Sequence, residues 1–141
     1  MTNLEVIIRI VKLTETVAVS QQIAPEHVAD IAAAGYQVLI NNRPDGESPD
    51  QPASAEFAAA AQAAGLEYHY FPVTAMNFPG PNIEQMADLL DDGERPVLAF
   101  CRSGTRCANL WVASRQGEDR AAAQATASRL GYDLGMASRV P

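Results

Sequence analysis

Cysteine and histidine are scarce in this chain, with two of each in 141 residues. Two cysteines cannot build a disulfide framework. His27 and His69 stand at no ligand spacing from either cysteine, so a zinc site is not expected. Basic residues are few as well. Ten Lys and Arg face 17 Asp and Glu, leaving a formal charge of −7. Nucleic-acid phosphates need a basic face, so nucleic acid is excluded as a general partner and any anion site must be local. Long apolar runs are missing too. The best candidate, "LEVIIRIVKL", is interrupted by Glu5, Arg9 and Lys12, and no small-residue cleavage site follows it. Neither a membrane span nor a signal peptide is expected. The default is a cytoplasmic protein with reduced thiols and no membrane partner. No motif asks for a metal or an organic cofactor.

What is present is a chain of apolar segments that alternate between strand-like and helix-like periods. The length suits one domain with a core, residues 1–141. Residues 5–13 read as a strand, with 16–20 as its hairpin partner. "APEHVADIAAAG" reads as a helix, with Pro25 in the first turn, Glu26 at the positive end of the dipole and Gly35 at the cap. "YQVLIN" is a short buried strand, "ASAEFAAAAQAAG" a helix ending at Gly65, and "LEYHYFPV" a strand by alternation and aromatic content. "NIEQMADLLDDG" is a helix whose Asn82 and Gln85 resemble a capping box. "RPVLAF" is apolar throughout and reads as a central strand buried on both faces. Two more helices follow. The order implies an α/β fold with a mostly parallel central sheet flanked by helices. In such sheets ligands bind at the carboxyl ends of the strands. Cys101, the Asn42–Glu47 loop and the Thr74–Pro81 loop all fall at such ends.

The stretch "LAFCRSGTRC" carries both cysteines. Between Cys101 and Cys107 lie Arg102, Ser103, Gly104, Thr105 and Arg106. A short loop between a strand end and a helix start can turn its N–H groups toward one point, with the helix dipole behind them. Gly104 permits the positive φ that such a turn needs. Arg106 offers a guanidinium fork for an oxyanion. Together these favour Cys101 as a thiolate nucleophile. The competing interpretation is a small buried hydrophobe at a strand end. Cys107 is expected in the first helical turn, either as a hydrogen-bond donor or redox partner to Cys101 or as space-filling.

At this point the chain resembles a known family. The segments "VAVSQQIAPEHVADIAAAGYQVLINNRPDGE", "AAAAQAAGLEYHYFPV" and "PVLAFCRSGTRCANLW" are similar to the phosphatase-like domain of the beta-lactamase hydrolase-like family. That family is labelled both phosphatase and sulfur transferase. The resemblance implies a tyrosine/dual-specificity phosphatase-like fold with a cysteine-centred anion-binding loop. Two departures stand out. Phe100 stands where tyrosine phosphatases carry His, and only four residues separate Cys101 from Arg106, one fewer than in their pattern. That shorter loop has the length found in rhodaneses, although the remainder of the chain does not resemble one. The family also commonly has Ser where this chain has Cys107.

The second departure concerns the acid. Cleaving a phosphate ester calls for a proton on the leaving oxygen, and dual-specificity phosphatases carry an Asp in the loop after the strand that "LEYHYFPV" resembles. Here that loop, "TAMNFPGPN", holds no acid. Asp45 in "RPDGE" is the nearest candidate general acid and Glu47 the second, although "PDG" is also a turn former. Arg43, beside Asn42, is either a second anion contact or the partner of a neighbouring acid.

Three functions compete. The leading one is a cysteine-dependent phosphatase-like hydrolase with Cys101 as nucleophile, Arg106 as oxyanion holder and Asp45 as acid, acting on a small or protein phosphate ester. The second is a rhodanese-like sulfurtransferase carrying a persulfide on Cys101. The third is a module that binds a small anion or senses oxidants without turnover. Trp111 is expected to pack a helix on the sheet. Met76 and Phe78 are expected to line the pocket mouth.

Overall fold

A computed structural model describes residues 8–141. Five strands form one sheet: β1 (Ile10–Lys12), β2 (Val17–Ser20), β3 (Val38–Asn41), β4 (Glu67–Tyr70) and β5 (Val97–Phe100), in the order β1-β2-β5-β3-β4. β1 runs antiparallel to β2 and the other neighbours are parallel. The hairpin between β1 and β2 is closed by Thr14, whose hydroxyl accepts the N–H groups of Thr16 and Val17. The strand expected over residues 5–13 is shorter, and residues 5–7 lie outside the described residues.

β5 is the middle strand, and its four residues are no more than 1% exposed. Parallel pairing on both sides and helices on both faces require the unbroken apolar run "VLAF". Alternation then sorts the side chains. Val97, Ala99 and Cys101 face one core with Val19, Ile40, Met86, Leu110 and Trp111. Leu98 and Phe100 face the other with Leu39, Val28, Ile31 and Phe57. Phe57 and Phe100 meet with ring centroids 4.9 Å apart and planes tilted by 51°. Fully burying one such ring stabilises the fold by roughly 1.5–3 kcal/mol.

The helices are α1 (Val28–Ala33, after a 3-10 turn at Pro25–His27), α2 (Ser54–Ala64), α3 (Ile83–Asp91), α4 (Thr105–Ser114) and α5 (Gly117–Arg129). α1 and α2 cover the Phe100 face. α3, α4 and α5 cover the Cys101 face. α2 stops at Gly65, where φ is +80° and the N–H of Leu66 reaches back to Ala61 O at 2.9 Å. Among the described residues no helix is long and apolar enough to cross a membrane.

Two local expectations need correction. Asn82 and Gln85 form no capping box, since Asn82 Nδ2 donates to Gln85 Oε1 at 2.9 Å and no side chain caps the helix. Both side chains are spent on each other. "LEYHYFPV" keeps strand geometry only to Tyr70, because Pro72 has no N–H for the ladder. The chain still follows β3 in part, with Phe71 N–H on Asn41 O and Val73 N–H on Asn42 O.

Candidate active site

Cys101 is the residue immediately after β5. Its N–H donates to Ser20 O at 3.3 Å, and Arg102 O accepts the N–H of Gln22 at 3.1 Å, so pairing with β2 carries on into the loop. The chain reverses at Gly104, where φ is +92°. A Cβ there would meet Ser20 and the Tyr132 hydroxyl at 3.5–3.6 Å, ordinary contact distances. The backbone conformation, not lack of space, therefore calls for glycine. The reversal brings the Gly104 N–H to 3.1 Å from Cys101 Sγ. The N–H groups of Ser103 and Cys107 also point at that sulfur, and the Cys107 thiol donates to it. α4 begins at Thr105, so its positive end faces the same atom. Cys101 is 1% exposed, and Cys107 beneath it is fully buried.

The charge state follows from these donors. The hydrogen bond from Cys107 is the largest influence on Cys101. With the backbone N–H groups it outweighs burial and brings the thiol down to about 6. Burial pushes the Cys107 thiol well up, and the neighbouring Cys101 sulfur adds to that. The pair is thus polarised in one direction, toward a thiolate on Cys101 with the Cys107 thiol as its donor.

Arg106 leaves the first turn of α4 and crosses to two other loops. Its Nη1 donates to Val73 O at 3.0 Å and to Glu47 Oε2 at 3.1 Å, and Nη2 reaches Glu47 Oε1 at 3.3 Å. Glu47 also accepts from Arg43 Nε at 3.0 Å, and Arg43 Nη1 donates to Gln22 Oε1 at 2.9 Å. Burial works to raise the Glu47 carboxyl, but hydrogen bonds and charge from Arg106 and Arg43 hold it below the usual carboxylate range. The segments after β2, β3, β4 and β5 are tied into one network through Gln22, Arg43, Glu47, Val73 and Arg106.

The other sequence candidates take different positions. Asn42 is fully buried, its Nδ2 on Phe71 O at 3.0 Å, and it braces the β4 exit from within the core. Asp45 Oδ1 accepts the Ser54 N–H at 2.8 Å, capping α2, while its own N–H donates to the Tyr70 hydroxyl at 2.8 Å. Arg43 is 5% exposed and turned to Glu47 and Gln22. Arg102 and Ser103 are exposed at the rim. Gln22, the Val73 carbonyl and Tyr132 escaped the sequence argument. Only Gln22 carried a signal, its place just past a strand end. Trp111 is buried in the core beneath α5, as its helical spacing indicates, whereas Met76 is 96% exposed.

These features place a strand–loop–helix turn, with its backbone N–H groups on the Cys101 sulfur, within a fold of the tyrosine/dual-specificity phosphatase type. The chain belongs to the family described as the beta-lactamase hydrolase-like protein, phosphatase-like domain, whose profile matches residues 9–118. It is 36% identical over 132 residues to a beta-lactamase hydrolase-like protein of Xylella fastidiosa strain 9a5c, a match covering 92% of this chain and 31% of that protein. The chain thus spans about a third of the length of that relative. Among solved structures, a candidate phosphatase from Neisseria meningitidis Z2491 is similar at 33% identity and a TM-score of 0.72, covering 92% of this chain and 94% of that one. The fold also matches Tk-PTP in its active form, with 20% identity, a TM-score of 0.62, and 93% and 97% coverage.

Proposed function

We propose that this domain is a cysteine-dependent phosphohydrolase that works through a phosphocysteine on Cys101. The observation that carries the reading is the Cys101 sulfur itself, which receives the Gly104 N–H at 3.1 Å and the Cys107 thiol hydrogen at the mouth of a helix. In this reading the thiolate attacks phosphorus. The loop N–H groups and Arg106 hold the equatorial oxygens as charge builds on them. Glu47 and Val73 O aim the Arg106 guanidinium. Water then hydrolyses the phosphocysteine. The phosphatase-like family and the similarity to the Neisseria protein support the phosphoryl substrate class. The test is phosphate release from an aryl phosphate by wild type and Cys101→Ser, with mass spectrometry of the quenched enzyme. Turnover lost in the variant and a phosphoryl adduct on Cys101 are expected. Equal rates would sink the proposal.

A second reading has its own support. Three N–H groups converge on one sulfur, in a loop with only four residues between Cys101 and Arg106. A cradle centred on a single atom also suits a persulfide, and sulfur transfer between thiols needs no leaving-group acid. Incubation with thiosulfate and intact-mass analysis separate the two. A gain of one sulfur on Cys101, without phosphate turnover, would shift the assignment.

A further inference from the structure

Protonating a poor leaving group needs a carboxyl that holds a proton and is free to move it. Among the described residues, the acids around the cradle are otherwise engaged. Glu47 lies between two guanidiniums, 3.0 Å from Arg43 and 3.1 Å from Arg106. A carboxylate so placed is an acceptor, and its contacts are with the very arginine that would hold the phosphoryl oxygens. Asp45 Oδ1 takes the Ser54 N–H at 2.8 Å at the start of α2, so it is occupied as a helix cap. Asp50, farther along the same loop, accepts the Ser48 hydroxyl at 3.0 Å. Asp133, on the segment that Asn109 ties to α4, accepts the Gly135 N–H at 2.8 Å. The loop after β4 and the cradle supply no carboxyl at all. The phenol nearest the Gly104 turn, Tyr132, is raised by burial and is a correspondingly weak donor.

We infer that the site acts on phosphoryl groups whose leaving group departs as a stable anion without being protonated, namely acyl phosphates and phosphoric anhydrides. The inference rests on the phosphocysteine reading above. The steps balance without an acid. The Cys101 thiolate forms an S–P bond as the P–O bond to the leaving group breaks, and the electron pair leaves on a carboxylate or phosphate oxygen. Water then attacks phosphorus, the P–S bond breaks, sulfur recovers its electron pair, and the water proton leaves with inorganic phosphate. A carboxylate or phosphate leaves well because its conjugate acid titrates at about 4 or about 6. A phenol, at about 10, is intermediate. An alkoxide is the poorest.

The experiment compares acetyl phosphate, tripolyphosphate, a series of substituted phenyl phosphates and glycerol phosphate with wild type, Cys101→Ser and Asp45→Asn. For wild type, kcat/KM should fall steeply as leaving-group pKa rises. Glycerol phosphate should be slower than acetyl phosphate by at least about 10²-fold, the smallest contribution a general acid commonly makes. Asp45→Asn keeps an oxygen to cap α2 and should leave that slope unchanged. A flat slope, comparable turnover of glycerol phosphate, or an Asp45→Asn loss confined to poor leaving groups would overturn the inference while leaving the nucleophile intact. If no substrate depends on Cys101, the phosphocysteine reading fails first and the inference with it.

Discussion

The two loops that flank the cradle are built on opposite principles. The Asn42–Glu47 loop is charged and tied outward. Arg43 and Glu47 connect it to Gln22 and Arg106, and Asp45 connects it to α2. The Thr74–Pro81 loop carries no charge and is mostly tied to itself. Thr74 N–H donates to Asn77 Oδ1 at 2.7 Å, and Gly80 N–H to Asn77 O at 2.8 Å. Its outward polar links are weak or peripheral, Arg139 Nη2 on Ala75 O at 3.4 Å and Arg106 on Val73 O just before the loop begins, while Phe78, expected at a pocket mouth, packs instead against the core. The contrast separates two jobs. One loop fixes the position and surroundings of the Arg106 guanidinium, and the other is held mainly by its own bonds. Substitutions in the first should change chemistry, and substitutions in the second should change little with a small substrate.

Arg106→Lys breaks the comparison most severely, because the residue joins the cradle to both loops. A lysine cannot reproduce the fork that reaches Val73 O and Glu47 together. Loss of a transition-state donor of this kind costs roughly 10²–10³-fold in kcat. Steady-state kinetics with an aryl phosphate would show it, and a wild-type rate would remove Arg106 from the mechanism.

Glu47→Gln comes next. It removes the negative charge between Arg43 and Arg106 and leaves Arg43, only 5% exposed, without its ion-pair partner. Hydrogen bonds to charged groups contribute about 1.5–3 kcal/mol each. The variant should lose about tenfold in kcat/KM, the equivalent of one such bond, and unfold at lower denaturant. Combining it with Arg106→Lys should cost less than the sum, since both changes disrupt one contact. Full additivity would show that Glu47 does not act through Arg106.

The division between the loops was only partly legible in the sequence. "VLAF" announced the central strand, because both faces of β5 are covered and the run has no polar residue to place. The cradle was legible for a related reason: Gly104 and Arg106 sit at fixed short distances along the chain from Cys101, so local order sufficed. Asp45 shows where that reasoning stops. Its spacing permitted an acid role beside that of a turn former, and the packing of α2, nine residues onward, makes it a cap by putting the Ser54 N–H against it. Glu47 and Arg106 are 59 positions apart, and no local pattern could pair them. The Val73 carbonyl entered the site through strand order alone, which composition does not reveal, and Gln22 was marked only by its place just past a strand end. The capping box expected at Asn82 failed because two exposed polar side chains had each other as alternatives to the backbone.

The thiol pair tests whether the charge state comes from the cradle alone. Cys101 titrates at about 6, with the Cys107 thiol as the largest lowering influence. Cys107→Ala should raise it by about one unit, since one unit is about 1.4 kcal/mol, the strength of a hydrogen bond to a charged group. Cys107→Ser keeps a donor and should leave it near the wild-type position. Thiolate absorbance against pH measures both. Sign follows from linkage. A depressed Cys101 contributes stability that is full above the unfolded thiol range and is lost as pH falls through about 6. Cys107 is raised and acts oppositely, costing stability as the unfolded thiol ionises at alkaline pH. An unmoved titration in Cys107→Ala would mean that the backbone N–H groups suffice.

The smallest effect belongs to the neutral loop. Asn77→Ala removes the oxygen that accepts both the N–H and the hydroxyl of Thr74, at 2.7 Å and 3.1 Å. Those bonds are exposed, so water replaces them at modest cost, about 1 kcal/mol. The loop holds no group that touches the Cys101 sulfur or the Arg106 fork. Turnover of a small aryl phosphate should therefore stay within about twofold of wild type, the range expected of surface changes. A bulky substrate that must pass Met76, 96% exposed at the loop tip, should respond more in KM than in kcat. Measuring both substrates on Asn77→Ala is the sharpest form of the comparison. A large kcat loss with the small substrate would show that the Thr74–Pro81 loop takes part in the chemistry and does not merely frame it.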